Sequence, residues 1–205
     1  MKYARKDKLL AGLGALWLAM VAVGLGALWS HATSPGATGS ASLSWPANTA
    51  LALHRDRFTL VMFAHPRCPC TRASIGELDR LMADCAGRID AHVVFFKPPA
   101  ADPAWNESGL PASAARIPGV RTHWDVQGVE AARFQAETSG DTLLFDPSGH
   151  LLFRGGITSA RGHSGDNTGR DAIVKLVGGG APRLNFTPVY GCSITDPTNQ
   201  CKTSN

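Results

Sequence analysis

The chain has 205 residues, 44% of them hydrophobic and 18% charged, with a formal net charge of +4 and an isoelectric point of about 8.9. That length suits one ordinary domain plus an appendage, with enough apolar residue to bury a core. The charge is mild and no long basic run lies beyond the N-terminus, which argues against nucleic acid as a partner.

The appendage comes first. Lys2, Arg5, Lys6 and Lys8 make residues 1–8 a basic flank, and residues 9–29 carry no charge. At about 1.5 Å per residue, that run is long enough to cross the roughly 30 Å hydrocarbon core. Trp29 stands where an interfacial aromatic is expected, and the basic flank belongs on the cytoplasmic side. This predicts a single-pass anchor in the inner (cytoplasmic) membrane, with the C-terminal domain facing the periplasm or exterior. A cleaved signal is the competing reading, with Ser30-His31-Ala32 as a small-x-small site. The apolar run exceeds the usual 7–15 residues of a signal, which favours the anchor. Residues 30–50 are Ser, Ala, Thr, Gly and Pro with almost no charge, and read as a flexible linker. Residues 51–180 are the expected folded domain. Residues 181–205 form a tail without periodicity that carries Cys192 and Cys201.

Within the domain, the apolar run Phe58–Ala64 predicts a buried strand that stops at His65-Pro66. Cys68-Pro69-Cys70 follows, and then a helical pattern with Ile75, Leu78, Met82 and Cys85 on one face. Residues 89–96 predict a second strand, parallel to the first through a right-handed crossover. A short helix is expected at 112–117 and a short strand at 120–124. Residues 127–136 predict a helix with Val129, Ala132 and Phe134 inward. Strands at 142–146 and 150–154 flank the turn Asp146-Pro147-Ser148-Gly149. Residues 155–167 are a polar loop. Residues 168–177 predict a last helix, with Ile173, Val174 and Val177 inward, Asp166 as a candidate cap, and three glycines as its stop.

This order matches the thioredoxin fold. DVQGVEAARF, TSGDTLLFDPSGHLLFRGGIT, RGHSGDNTGR and TPVYGCSI, together with the Cys-Pro-Cys loop, resemble the membrane-tethered, RedB-like members of the thioredoxin superfamily. The resemblance spans about residues 57–194. It implies an α/β, thioredoxin-like domain, a mixed central sheet with helices on both faces, preceded by a single N-terminal transmembrane helix and held outside the cytoplasm. Two departures stand out. One residue separates the cysteines where thioredoxins have two. The position of the thioredoxin cis-proline, which faces the redox pair, falls on Asp141. A cis bond before a non-proline residue costs about 3–4 kcal/mol, so a trans bond is expected there.

Cys68 and Cys70 are the candidate catalytic pair, with Cys68 as nucleophile because it lies nearer the loop apex. Unpaired N–H groups and the helix dipole favour a thiolate at a helix start. Arg67 and Arg72 either add to this or are simply solvated. A ring closed over one residue departs from relaxed disulfide geometry and is easily reduced, which argues against a structural staple. Cys85, on the apolar helix face, reads as a small buried hydrophobe. Cys192 has two open readings: a staple to Cys201, or a resolving thiol near Cys68. His65 either tunes the pair or caps the strand. The first functional reading is a thiol–disulfide oxidoreductase that needs no cofactor and acts on protein or small-molecule thiols and disulfides. The second follows a partial likeness to Sco-type copper proteins, which space their cysteines more widely. It makes Cys68, Cys70 and His163 soft ligands for copper. A third is a non-catalytic interaction domain that keeps only the fold.

Overall fold

The computed structural model describes residues 2–40, 43–101, 105 and 109–195. Its strands are β1 (Phe58–Ala64), β2 (Ile89–Lys97), β3 (Val120–Val126), β4 (Thr142–Phe145) and β5 (Leu151–Gly155). Its helices are α1 (Lys2–Thr33), α2 (Pro69–Asp84), α3 (Leu110–Ala115), α4 (Val129–Arg133) and α5 (Thr168–Val177). The strands form one sheet in the order β3-β2-β1-β4-β5. β1 is central, parallel to β2 and antiparallel to β4. β3 adds in parallel and β5 closes an antiparallel hairpin. This is the thioredoxin-like arrangement, a mixed sheet with helices on both faces.

The alternation of β1 builds the two layers. Leu60, Met62 and Ala64 face Ile75, Leu78, Leu81, Met82 and Cys85 of α2 and Ile173 and Val177 of α5. Val61 and Phe63 face Phe134, Leu143, Phe145 and the tail residue Ile194. Leu60 and Leu78 are fully buried, each burial contributing about 1.5–3 kcal/mol. The hairpin turn is held by the Asp146 carboxylate, which accepts from the Ser148 and His150 N–H groups.

Three expectations are corrected. First, helix 127–136 shrinks to α4, with Glu130, Ala131 and Phe134 buried and Val129 and Ala132 exposed. The Asp125 carboxylate accepts from the Glu130 and Ala131 N–H groups at 3.0 and 2.9 Å, which starts the helix late and turns its face. Second, α5 is capped by Asn167, whose side chain accepts from Arg170 N–H, while Asp166 is exposed. Third, the segment read as a flexible linker contacts the domain at several points. The Gly36 N–H donates to the Val189 carbonyl, Leu151 N–H to Leu43, and Trp45 N–H to Gly149. The Trp45 ring sits edge-on to Phe134 and Phe145 at 5.3 and 5.0 Å. Thr49 and Ala50 donate to the buried Glu130 carboxylate.

Helix α1 is long and apolar enough to cross a membrane, and none of that span is buried against the domain. At its end the Ala32 carbonyl accepts from the Arg161 N–H at 2.9 Å.

Candidate redox site

β1 delivers the chain to His65 at the end of the sheet. Pro69 occupies the first turn of α2, where its missing N–H is not needed. Cys68 is therefore the N-cap residue, with extended backbone (φ −79°, ψ 121°). Its N–H donates to the His65 carbonyl, and its carbonyl accepts from the Thr71 N–H. A buried hydroxyl pair then joins this loop to the one before β4. Thr71 Oγ1 lies 2.8 Å from Ser139 Oγ, and Ser139 Oγ accepts from the His65 N–H.

Cys68, Cys70 and Cys192 form a buried cluster of their own. Cys68, Cys70 and Cys85 are free thiols, whereas Cys192 is disulfide-bonded. The proposed Cys201 partner lies outside the described residues. The Cys70 thiol donates to Cys68 and, with backbone N–H groups of Cys192, Cys70 and Thr71, brings the Cys68 thiol down to about 6 against the opposing effect of burial. Cys70 moves the other way, pushed up chiefly by that same hydrogen bond and then by burial and the neighbouring Cys68 charge. One thiolate and one thiol is the polarised state a dithiol site needs.

Arg67 and Arg72 are not what lowers Cys68. The Arg67 guanidinium instead lies over the Trp105 ring at 4.4 Å. The basic group acting on the pair is Arg161, which favours ionisation of Cys70 beside the Gly162 N–H that bonds its sulfur. His65 is buried, its Nδ1 accepting from the Arg67 N–H and its ring packed on Phe96 and Trp105. Pro66, Arg67, Cys68, Pro69, Arg72 and Leu110 line a cavity of about 290 Å³.

Asp141 is fully buried at the loop expected to face the pair. Its carboxylate accepts from the Arg154 guanidinium at 2.7 Å, and burial raises its pKa despite that partner. No cis peptide bond occurs among the described residues. His163 is exposed, one residue beyond Gly162. Among the described residues no group of three or more His, Cys, Asp or Glu is arranged to hold a metal ion, so Cys68, Cys70 and His163 are not gathered into a ligand set.

Sequence reasoning missed Glu77. It is fully buried in α2 and accepts from Gly165 N–H, Asn167 Nδ2 and the Arg170 and Arg80 guanidinium groups. It thereby ties down the segment 165–170 that follows Arg161 and Gly162. A lone acidic residue on the apolar side of a helix was the available signal.

The structure thus sets a cysteine pair at the start of the helix after the central strand of a thioredoxin-like fold. No protein-family model matches the chain, and no curated protein matches it. Among solved structures it is similar to a hypothetical protein from Sinorhizobium meliloti, with 20% identity over 80% of this chain and 96% of that one, and a TM-score of 0.59. An uncharacterized conserved protein from Geobacillus kaustophilus shares 19% identity over 81% and 94%, with a TM-score of 0.58. A secreted Mycobacterium tuberculosis disulfide oxidoreductase homologous to E. coli DsbE shares 15% identity over 62% and 84%, at 0.43. The first two share the fold.

Proposed function

We propose that the chain is a thiol–disulfide oxidoreductase of RedB-like type, tethered by α1 to the cytoplasmic membrane and acting on its outer side. The observation that carries the chemistry is the polarised pair at the start of α2: Cys68 lowered to about 6 beside a Cys70 thiol that donates to it. The Cys68 thiolate attacks one sulfur of a substrate disulfide, and the other sulfur leaves as a thiolate. Cys70 then loses its proton and attacks Cys68. The substrate's second thiolate departs, and a Cys68–Cys70 disulfide remains. Two electrons pass to the substrate, and the reverse sequence oxidises a substrate dithiol. The anchor reading rests on the exposed apolar helix and on the basic residues before it.

The test is disulfide exchange by the full-length protein in detergent, reduced, freed of reductant and given glutathione disulfide. Wild type is expected to reduce it. Cys68→Ser is expected to lose this activity, and Cys70→Ala is expected to stop at a mixed disulfide on Cys68. Exchange by Cys68→Ser at the wild-type rate would end the proposal. Topology is tested separately by a reporter fused after Thr49, which should be active only outside the cytoplasm.

A further inference from the structure

The tail returns to the redox pair and lies on it as a peptide. Residues 192–194 run antiparallel to 137–139. Ser139 N–H donates to the Cys192 carbonyl at 2.8 Å, Ile194 N–H donates to the Glu137 carbonyl at 2.9 Å, and Thr138 bridges Ser193. The approach depends on Gly191, where a Cβ would overlap the Ser139 carbonyl. The Arg161 guanidinium, beside Cys70, also donates to the Gly191 carbonyl. Ile194 anchors the strand in the core at 1% exposure. The result is that Cys192 packs directly against Cys68 and Cys70, and its N–H points at the Cys68 sulfur. Cys68 itself is only 1% exposed. The disulfide nearest to its thiolate is therefore that of Cys192, within the same chain.

From this juxtaposition we infer that the Cys192 disulfide is the first electron acceptor of the Cys68–Cys70 pair, and that the tail is an internal relay to outside disulfides. This rests on the oxidoreductase reading above. The Cys68 thiolate attacks Cys192 Sγ, the Cys192 disulfide breaks, and its other sulfur leaves as a thiolate. Cys70 gives its proton to that thiolate and attacks Cys68. The Cys68–Cys192 bond breaks, and Cys192 leaves as a thiolate. The pair is oxidised by two electrons and the tail disulfide becomes a dithiol, with no further reagent consumed. That dithiol then meets the external disulfide, and a dithiol donor restores the Cys68–Cys70 pair. The remaining cysteine of the sequence, Cys201, is the candidate partner of Cys192.

Removal of the resolving thiol tests the relay. Full-length Cys70→Ser protein is equilibrated across dithiothreitol redox buffers, quenched in acid and mapped by peptide mass spectrometry. A peptide joining Cys68 to Cys192 is expected as the main disulfide species. A Cys68 that stays free beside an intact Cys192 disulfide, yet takes up glutathione, overturns the relay and leaves the oxidoreductase reading standing. A Cys68 that reacts with neither overturns both. The second measurement needs no change at the pair. In wild type with a reduced pair and an oxidised tail, alkylation is expected to move from Cys68 and Cys70 to Cys192 with time. Gly191→Ala should slow that transfer roughly a hundredfold, the cost of an ångström-scale misplacement of reacting atoms. A Gly191→Ala rate equal to wild type, or no transfer in wild type, overturns the relay.

Discussion

Helix α2 has a buried cysteine at each end, Cys68 as its N-cap and Cys85 as its C-cap. Neither is more than 1% exposed. At Cys85 burial raises the pKa, and the Arg88 charge opposes it without reversing it. Burial acts the same way on Cys68, but the Cys70 thiol and the N–H groups of Cys192, Cys70 and Thr71 outweigh it and bring the pKa to about 6. The helix dipole adds to the contrast, since a thiolate is favoured at the N-terminal end and disfavoured at the other. Burial alone therefore makes a thiol inert. A buried thiol becomes reactive only where donors converge, and one donor here comes from the far end of the chain.

The comparison can be broken most directly by exchanging the two ends' thiols for hydroxyls. Cys68→Ser is expected to lose disulfide exchange entirely, measured with glutathione disulfide. Cys85→Ser is expected to keep exchange while losing roughly 1–3 kcal/mol of stability in urea unfolding, because it buries a hydroxyl among apolar side chains. Between the ends, Glu77→Ala leaves the Arg170 guanidinium without its buried partner. It should cost about 3–5 kcal/mol by the same assay, enough to loosen the loop over Cys70.

Burial prevails again at His92, a buried residue whose ring lies 2.9 Å from that of His123 and also bonds the Ala52 carbonyl. Burial brings its pKa down from 6.5 to about 4. The folded value is depressed, so the unfolded chain binds more protons between those limits. The contribution of His92 is complete above pH 6.5 and is lost as pH falls to about 4, amounting to about 3 kcal/mol. Urea unfolding across that range should show the decline, and His92→Gln should flatten it. The smallest effect expected is that of Cys70→Ala, which removes the largest donor to Cys68 and should raise the pH midpoint of Cys68 alkylation.

Much of this frame was legible in the sequence. The uninterrupted apolar run of β1, the spacing of Ile75, Leu78, Met82 and Cys85, and the proline–glycine turn before β5 each follow from local chemistry. So did the position of Cys68 and Cys70 between strand and helix, and α5 falls on the expected residues. The parts that were not legible depend on contacts between distant residues. Trp45 is one aromatic among small residues, and nothing near it shows that Phe134 and Phe145 will receive it. The face of α4 is set by Asp125, a carboxylate outside the helix. Arg67 and Arg72 looked like the tuning charges because they are adjacent in sequence. Arg161 takes that place, held by the Ala32 and Gly191 carbonyls from distant parts of the chain. Cys192 had two open readings, and the contact that the 137–139 ladder makes between it and Cys68 lies between residues far apart in the sequence.

The central claim is that converging donors, rather than cysteine content or exposure, make one buried thiol of α2 reactive. The rate of iodoacetamide alkylation at Cys68 and at Cys85, followed by peptide mass spectrometry across pH in the reduced full-length protein, tests it most directly. Cys68 is expected to show an inflection near pH 6, with Cys85 still unreactive where Cys68 has reached its plateau. A shared inflection for both cysteines, or one for Cys68 at the ordinary thiol value, would contradict the claim.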